Sequence, residues 1–549
     1  MGLVTLIVIV QLFFGAIVGL YFWNLLRRQR TTKNGVVRES KKELEKLQLM
    51  RQTQLTMPLS EKIRPTTLED VVGQQTGIEA LRAAICHSNP QHVIIYGPPG
   101  IGKTAAARLV LEEAKKNSDS PFSNNAPFIE LDATTARFDE RGIADPLIGS
   151  VHDPIYQGAG AMGQAGIPQP KKGAVSQAHG GILFIDEIGE LHPTQMNKLL
   201  KVLEDRKVIF ESAYYSEENE QIPKHIHQIF SEGLPADFRL IGATTRMPDE
   251  IAPAIRSRCL EIYFKELDQG DMRLIGTRAC EKIGSSLTNM ALDLLTMYAK
   301  NGREAVNMIQ IASTVAKNKN RQQITEIDIN WVADVSRLTP KMTQRVLSET
   351  QVGKINGLGV TGPSTGQLLP IEVLTLPTTS KGCITITGIA EEETLGTKSK
   401  SIKRKSMARS SVETVITYLK SIGVPAHQYD IHINFPGGTP VDGPSAGMAI
   451  ALAIYSCMKK TPINHQVAVT GEISLYGEIR PVGGVPVKVK AAQQAGAKIA
   501  LVPKGNIDTL SQSDNRIQVI PITTFKEALP YVLQSEIDKE EMNIRKKLS

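Results

Sequence analysis

The longest apolar run of the chain lies near its start. No charged residue occurs from Leu3 to Leu26, and about 20 such residues suffice for a helix to cross the hydrocarbon core of a bilayer. Aromatic residues at 21–23 and three arginines between 27 and 30 follow, as expected at a cytoplasmic membrane interface. The pattern predicts a transmembrane anchor in residues 1–30 that crosses the cell membrane once, through residues 3–26, and leaves the bulk of the chain on the cytoplasmic side. A cleaved signal peptide is disfavoured because the run is too long and lacks an A-x-A-like site.

Beyond the anchor, the pattern changes twice more. Residues 31–60 are charged and rich in helix formers, which predicts a juxtamembrane helical linker. From residue 61, short apolar runs such as His92–Tyr96 are followed by helix-like segments such as Ala105–Ala114. After Thr350, short β-like runs are separated by turn residues, as in Gln367–Leu376 and Gly382–Thr387. We therefore expect a separate domain from 350 to 540.

Composition and charge narrow the classes of function. With 549 residues, 41% of them apolar, the chain is long enough for several domains with cores of their own. The net charge of +7 comes from 63 basic and 56 acidic residues, so nucleic acid is not expected to be the main partner. The five cysteines form no C-x-x-C pair, which disfavours both a disulfide framework and a zinc site. They are Cys86, Cys259, Cys280, Cys383 and Cys457.

A phosphate-binding loop directly follows the apolar run that ends at Tyr96. The segment fits G-x-x-x-x-G-K-[ST] at every fixed position, and it lies between a predicted strand and a predicted helix, as this motif requires. Its residues are Gly97, Pro98, Pro99, Gly100, Ile101, Gly102, Lys103 and Thr104. Backbone N–H groups of such a loop surround phosphates, the lysine places a charge at the β- and γ-phosphates, and the hydroxyl of Thr104 is a ligand for Mg²⁺. The loop predicts ATP and Mg²⁺ as cofactors.

Two carboxylates at the end of a second apolar run indicate ATP hydrolysis rather than binding alone. Gly181–Ile185 predicts a buried strand, and Asp186 and Glu187 follow it. At the carboxyl edge of a parallel sheet these side chains would lie beside the phosphates. We expect Asp186 to hold Mg²⁺, partly through water, and Glu187 to orient or deprotonate the attacking water.

The ATPase region resembles the AAA+ ATPases. The resemblance rests on residues 62–75, on the strand-like run Phe238–Arg246 and on the segment Ala254–Cys259. It implies an α/β P-loop ATPase with a large subdomain at 61–265 and a small all-α lid at 266–345. It also implies a sensor at Thr245 or Thr244.

The same resemblance assigns two arginines. Arg258, or alternatively Arg256, would be the arginine finger offered to a neighbouring subunit, and Arg303 the second sensor on the lid. For each arginine alone, a surface ion pair is the commoner explanation. A finger that acts in trans requires a ring, and the family suggests a homo-oligomer of six subunits.

A glycine-rich insert, Leu147–Gly181, separates the phosphate loop from the carboxylate strand. We expect it to grip substrate in a central pore through Tyr156 or Met162. The alternative is a mobile loop without a binding role.

The most informative stretch of the second domain is Phe435–Gly447, which ends in the sequence D-G-P-S-A-G. Ser445 follows Gly443 and Pro444 and opens a helix-like run, where backbone N–H groups can stabilise an oxyanion. Taken alone, a helix N-cap serine is the better interpretation. A nucleophile elbow is disfavoured because no strand runs directly into the serine, and His427 and His432 precede it.

At this point the sequence resembles the Lon peptidase family over nearly all of residues 350–540, through D-G-P-S-A-G and the downstream G-G-x-x-x-K that contains Lys488. The resemblance implies an α+β proteolytic domain and an ATP-dependent serine endopeptidase that degrades protein substrates. Ser445 would be the nucleophile, Lys488 the general base and Thr470 a supporting hydroxyl, whereas Lys490 has no family role. A lysine base requires a pKa far below its usual value near 10.4.

Two departures from the family concern the N-terminal region. Soluble Lon enzymes carry a large substrate-recognition domain before the ATPase, which about sixty residues cannot form, and the archaeal membrane form places its anchor inside the ATPase module. The order found here most resembles the membrane-anchored B-type branch of endospore-forming bacteria, which implies a role in sporulation and a location that includes the forespore membrane. The rival hypotheses are an anchored unfoldase with a silent proteolytic domain and a DNA-directed ring motor.

Overall fold

The structure is a computed structural model of the 549-residue chain. It describes residues 2, 13, 15–23, 44, 47, 50, 59–136, 145–152, 167–219, 222–341, 345–379, 382–388, 392–397, 400–405, 407–436, 443–510 and 517–533. Contacts divide the chain into two compact units, Met1–Lys62 and Ile63–Ser549.

In the first unit, the described residues before position 51 are helical, and the large apolar side chains of Phe13 and of residues 17–23 are exposed. Helix α1 spans Leu59–Lys62. Within the described stretches, no helix is both long and apolar enough to span a bilayer. Most of the predicted span 3–26 and of the predicted linker 31–60 lies outside the described residues, so both stay predictions.

The second unit begins with a parallel five-stranded sheet in the order β2-β5-β8-β1-β9. Strands β1, β5 and β8 are apolar and almost wholly buried, as expected for central parallel strands that are covered on both faces. The strands of this subdomain are β1 (His92–Tyr96), β2 (Phe128–Asp132), β3 (Gly149–His152), β4 (Gln169–Lys172), β5 (Ile182–Asp186), β6 (Lys207–Val208), β7 (Leu234–Pro235), β8 (Arg239–Thr244) and β9 (Cys259–Tyr263). Its helices are α2 (Gln75–Ile85), α3 (Lys103–Ala114), α4 (Ala174–Gln177), α5 (Pro193–Asp205), α6 (Lys224–Glu232) and α7 (Pro253–Arg256). Parallel strands place their carboxyl ends, and the polar residues that follow them, at one edge.

The lid is helical, as the sequence predicts, and it also contains a short parallel ladder. Its helices are α8 (Gln269–Ile283), α9 (Asn289–Tyr298), α10 (Gly302–Asn318) and α11 (Glu326–Val335). The ladder joins β10 (Ser286–Leu287) to β11 (Gln323–Ile324). Helix α10 starts at an asparagine cap, because the side chain of Asn301 accepts a hydrogen bond from the N–H of Glu304 at 2.9 Å.

The C-terminal domain is built on a mixed seven-stranded sheet in the order β14-β17-β13-β12-β18-β21-β22. Helix α13 (Gly447–Lys459) is apolar on all sides over most of its length and is buried beside this sheet, which is typical of a core helix. The strands are β12 (Lys354–Gly362), β13 (Thr365–Pro377), β14 (Ile384–Thr387), β15 (Glu392–Thr397), β16 (Lys400–Lys405), β17 (Tyr429–Asn434), β18 (Val467–Val469), β19 (Glu472–Ile473), β20 (Ile479–Arg480), β21 (Ile499–Pro503) and β22 (Gln518–Ile522). The helices are α12 (Met407–Ser421), α13 (Gly447–Lys459), α14 (Val485–Gln494) and α15 (Phe525–Val532).

Candidate active sites

The predicted phosphate loop joins β1 to α3. Gly100 and Gly102 have φ angles of +74° and +96°, a left-handed conformation that side chains disfavour. Helix α3 begins at Lys103, so the unpaired N–H groups of its first turn lie at the end of the loop. This strand-loop-helix arrangement forms a site suited to phosphate oxygens.

The amine of Lys103 is folded back onto the loop. Its Nζ atom donates hydrogen bonds to the carbonyl oxygens of Gly97 at 2.6 Å and Pro98 at 3.0 Å. Burial lowers the pKa of this amine, and the carboxylates of Glu187 and Asp186 act against that effect. A phosphate would offer the lysine a charged and therefore stronger partner than these carbonyls.

The two predicted carboxylates lie at the carboxyl edge of the sheet, and a threonine holds one of them. Thr245 donates its backbone N–H and its hydroxyl to Oε2 of Glu187 at 3.1 and 3.2 Å. Glu187 itself has a φ of 49°, a left-handed conformation that is uncommon for residues other than glycine and is often found at functional sites. The hydroxyl of Thr244 is buried and accepts from the N–H of Arg246. The contact with Glu187 therefore favours Thr245 over Thr244 as the sensor.

The lid approaches the phosphate loop at one glycine. A Cβ atom added at Gly100 would lie 2.9 Å from the side-chain Cγ and Oδ1 of Asn301. Asn301 caps helix α10, and Arg303 lies in the first turn of that helix. The predicted lid arginine is therefore carried on the helix whose start contacts the phosphate loop.

The two candidate finger arginines have different surroundings. Arg256 donates to Glu261 at 2.6 Å, and the same carboxylate accepts from the hydroxyls of Tyr96 and Tyr263. Arg258 donates to the carbonyl of Ala254 at 2.7 Å and pairs with Glu204. The carboxylate of Glu204 is 57% exposed, whereas that of Glu261 is 24% exposed.

Exposed ion pairs contribute little stability and are easily exchanged. Arg256 is part of a half-buried cluster that supports β9, while Arg258 has an exposed partner that a neighbouring molecule can replace. The contacts favour Arg258 over Arg256 for a role in trans.

Ser445 lies in a short 3-10 turn, Pro444–Ala446, that leads directly into α13. Its carbonyl oxygen accepts a hydrogen bond from the N–H of Gly471 at 2.9 Å, and the carbonyl of Gly471 accepts from the N–H of Met448 at 3.0 Å. Two backbone bonds thus fix the serine turn against the segment that follows β18. The N-cap position of α13 is occupied by Ala446, so Ser445 lies one residue before the position that a capping serine would take.

Lys488 is a buried amine on helix α14. Its side chain is 2% exposed, and its Nζ donates to the hydroxyl of Thr470 at 3.3 Å. Thr470 is fully buried and immediately precedes Gly471, the residue bound to Ser445. Burial lowers the pKa of Lys488 to about 8, because a low-dielectric environment disfavours the charged form. A substantial fraction of this amine is therefore neutral near pH 7.5, in contrast to an exposed lysine.

The remaining comparison between sequence and structure concerns a histidine, the predicted pore loop and two residues that the sequence did not single out. His432 lies on β17, and its Nε2 is 3.2 Å from the hydroxyl of Thr387 on β14. This contact gives no support for a catalytic triad that includes His432. Tyr156 and Met162 lie outside the described residues, so the pore-loop assignment stays a prediction. The sequence analysis missed Asn301 and Gly471. The first had a signal, since asparagine followed three positions later by glutamate is typical of a helix start.

Comparison with known protein families gives two matches. Residues 93–267 match the ATPase family associated with various cellular activities (AAA). Residues 324–536 match the C-terminal proteolytic domain of the Lon protease (S16) family.

Whole proteins are similar as well. The chain is 63% identical to Lon protease 2 of Bacillus subtilis over 524 residues, which cover 95% of each chain. It is 28% identical to the archaeal Lon protease of Thermococcus kodakarensis over 469 residues, 77% of this chain and 69% of that protein. The archaeal Lon protease of Archaeoglobus fulgidus is 29% identical over 451 residues, 73% of this chain and 69% of that protein.

Proposed function

The chain belongs to the Lon protease family of ATP-dependent serine proteases, and we propose that Ser445 and Lys488 form its catalytic dyad. The observation that carries this assignment is the buried amine of Lys488, held by Thr470 beside the backbone that fixes Ser445. A buried amine with a lowered pKa, bound to the residue that precedes the backbone partner of the Ser445 turn, suits general base catalysis.

In the proposed reaction, the neutral amine of Lys488 accepts the hydroxyl proton of Ser445 while Oγ attacks the carbonyl carbon of a peptide bond. Backbone N–H groups of the Pro444–Ala446 turn that leads into α13 stabilise the oxyanion. The ammonium of Lys488 then protonates the leaving amine, and an acyl group remains on Ser445. The amine next takes a proton from a water molecule, whose oxygen attacks the ester carbonyl, and the ammonium returns that proton to Oγ of Ser445 as the carboxylic acid leaves.

For the ATPase, we propose that the phosphate loop binds ATP and that Thr104 and Asp186 hold Mg²⁺, in part through water. Burial and the nearby Glu187 carboxylate raise the pKa of Asp186, because the protein does not fully compensate the negative charge of the two carboxylates. A divalent cation would supply the missing positive charge. Bound Mg²⁺ would neutralise charge on the phosphate oxygens. Glu187 orients or deprotonates the attacking water, Thr245 lies near the γ-phosphate, and Arg303 reaches the nucleotide from the lid.

We further propose a hexameric ring in which Arg258 completes the nucleotide site of the neighbouring subunit. Hydrolysis around the ring would unfold protein substrates and deliver them to the dyad. Support comes from the exposed partner of Arg258 and from the need of an arginine finger for a second subunit.

The proposed location is the cell membrane, with residues 3–26 as a single span and the catalytic domains on the cytoplasmic side. This proposal rests on the uncharged run and the arginines that follow it. The resemblance to the endospore-former branch extends the proposal to a sporulation role, which a deletion strain with reduced spore counts would support.

The decisive assay is ATP-dependent degradation of an unfolded protein by the full chain. Lys103→Ala, Ser445→Ala and Lys488→Ala should each abolish degradation, whereas Lys490→Ala, an exposed lysine on the same helix, should behave as wild type. The two dyad variants should retain ATP hydrolysis, because the ATPase site remains intact. Loss of degradation in Lys103→Ala alone would reject the dyad.

A further inference from the structure

Helix α14, which carries Lys488, lies on the hairpin formed by β12 and β13. Leu358 and Leu368 of the hairpin belong to one buried cluster with Val485, Val489 and Ala492 of the helix. Lys488 belongs to the same buried face of the helix, and its Nζ donates to the hydroxyl of Thr470. The hairpin therefore fixes the distance of α14 from the sheet, and with it the position of the Lys488 amine.

One residue of the hairpin touches the helix backbone itself. A Cβ atom at Gly366 would lie 2.2 Å from the carbonyl oxygen of Val487, 2.7 Å from its carbonyl carbon and 3.1 Å from the N atom of Lys488. Non-bonded carbon and oxygen atoms in proteins approach to about 3.5 Å. The neighbours are backbone atoms, so a change of rotamer cannot relieve the overlap.

The reason for glycine at this position is space rather than backbone conformation. The φ of Gly366 lies outside the left-handed range, and the residue pairs with Val360 in the β12–β13 ladder, directly before the register shift between Val360 and Gly362. Alanine could adopt the same backbone angles. It would instead push α14 away from the hairpin at the position of Lys488.

We propose that Gly366 is a positioning residue for catalysis, since its missing side chain lets the backbone of Val487 and Lys488 rest directly on β13 and so places the Lys488 amine at Thr470. This inference rests on the proposed Ser445/Lys488 dyad. A displaced helix lengthens the 3.3 Å contact between Nζ and the Thr470 hydroxyl and admits water to an amine that is now 2% exposed.

The proposal predicts a specific kinetic signature for Gly366→Ala in the full chain. A displacement on the order of 1 Å can cost about 100-fold in rate, so kcat for a short unstructured peptide should fall by about 10- to 100-fold at neutral pH, with little change in KM. Rehydration raises the pKa of Lys488, which lies at about 8 in the wild type. The pH profile of kcat should therefore move to higher pH, and part of the lost activity should return there.

A matched control lies on the same hairpin. At Gly359, the nearest atoms to an added Cβ are in the side chain of Gln367, at 3.6 and 3.7 Å, which is ordinary contact. Gly359→Ala should therefore keep the wild-type kcat and pH profile. ATP hydrolysis, whose site lies outside the domain that contains these glycines, should be unchanged in both variants, and the calorimetric transition of the proteolytic domain reports whether that domain is folded.

If Gly366→Ala does not fold, a second matched pair of variants tests whether the contact between the hairpin and α14 positions Lys488. Leu368 packs under α14, whereas its neighbour Leu369 belongs to the core cluster on the other side of the sheet. Leu368→Val should move the pH profile in the same direction by a smaller amount, and Leu369→Val should not.

The outcomes separate this inference from the proposed dyad. If Lys488→Ala retains peptide cleavage, the dyad is wrong and this inference falls with it. If Lys488→Ala is inactive while folded Gly366→Ala has the wild-type kcat and pH profile, only the role of Gly366 is rejected. Equal profiles for Leu368→Val and Leu369→Val would also reject it.

Discussion

The buried amine of Lys488 should make the fold less stable than an apolar side chain would, so Lys488→Met is predicted to stabilise the protein while it abolishes proteolysis. The pKa of this amine falls from 10.5 to about 8. Since one pKa unit corresponds to about 1.4 kcal/mol, the charged form is disfavoured by roughly 3 kcal/mol. Methionine has a similar length, carries no charge and packs well in irregular apolar sites.

The sign of the pH dependence follows from the two protonation states. Below pH 8 both the folded and the unfolded chain bind the proton, and the folded state bears the full cost of burying the charge. Between pH 8 and about 10.5 the unfolded chain retains a proton that the folded chain has lost, so the stability of the wild type rises with pH. The advantage of the methionine variant should therefore be largest at neutral pH and disappear above about pH 10.5.

Differential scanning calorimetry of the full chain tests this prediction. The transition of the proteolytic domain should shift upward by roughly 5–10 °C near pH 7 in Lys488→Met, and the gap to wild type should close at high pH. Lys490→Met, at an exposed position of the same helix, is the control and should shift little. A lower transition temperature in Lys488→Met at pH 7, or a gap that is the same at both pH values, would refute the reasoning.

Three further predictions concern individual contacts. Thr470→Val removes the hydroxyl that holds the Lys488 amine and should lower kcat for peptide cleavage by about 10- to 100-fold without raising KM; steady-state kinetics at the wild-type rate would show that the hydroxyl is not needed. Glu187→Gln should reduce ATP hydrolysis by at least about 100-fold while nucleotide affinity, measured with a fluorescent analogue, stays close to wild type; undiminished hydrolysis would remove Glu187 from its role. Arg258→Ala should lower ATPase activity by about 1,000-fold. Rings mixed with Lys103→Ala subunits should recover part of this activity, because the Lys103→Ala subunit contributes Arg258 and the Arg258→Ala subunit contributes an intact phosphate loop. No recovery on mixing would argue against a finger in trans.

The ATPase module could be predicted in detail because its chemistry is local in sequence. Lys103 and Thr104 lie within one strand-loop-helix unit, and Asp186 directly ends a strand, so the strand order alone brings these groups to one edge. The contact of Thr245 with Glu187 joins two strand ends that are far apart in sequence, and residue types alone did not distinguish Thr245 from Thr244.

The proteolytic site could be predicted less completely from the sequence. Ser445 at a helix start has a capping role as its commoner explanation, and a lysine such as Lys488 is ordinarily exposed. Its burial depends on the packing of α14 against Leu358 and Leu368, which come from a hairpin more than a hundred positions earlier in the chain. Hydrophobic periodicity does not predict such packing, so the sequence pointed to Ser445 and Lys488 only through the family resemblance. The structure adds the burial of the Lys488 amine as a physical reason for this assignment. Gly366 had no signal in the sequence, since only the position of α14 reveals what the missing side chain permits.

The central claim is that Lys488 acts as a neutral base on Ser445, and the pH dependence of acylation tests it most directly. The rate of single-turnover acylation of Ser445 by an activated peptide ester can be followed by stopped flow from about pH 6 to about pH 11, a range that includes the usual lysine pKa. The account predicts that the rate in the wild-type protein rises with a midpoint at about pH 8, and that Lys488→Ala loses both the rate and the midpoint. Acylation of Ser445 at an undiminished rate in Lys488→Ala, or a wild-type midpoint at the ordinary lysine value, would contradict it.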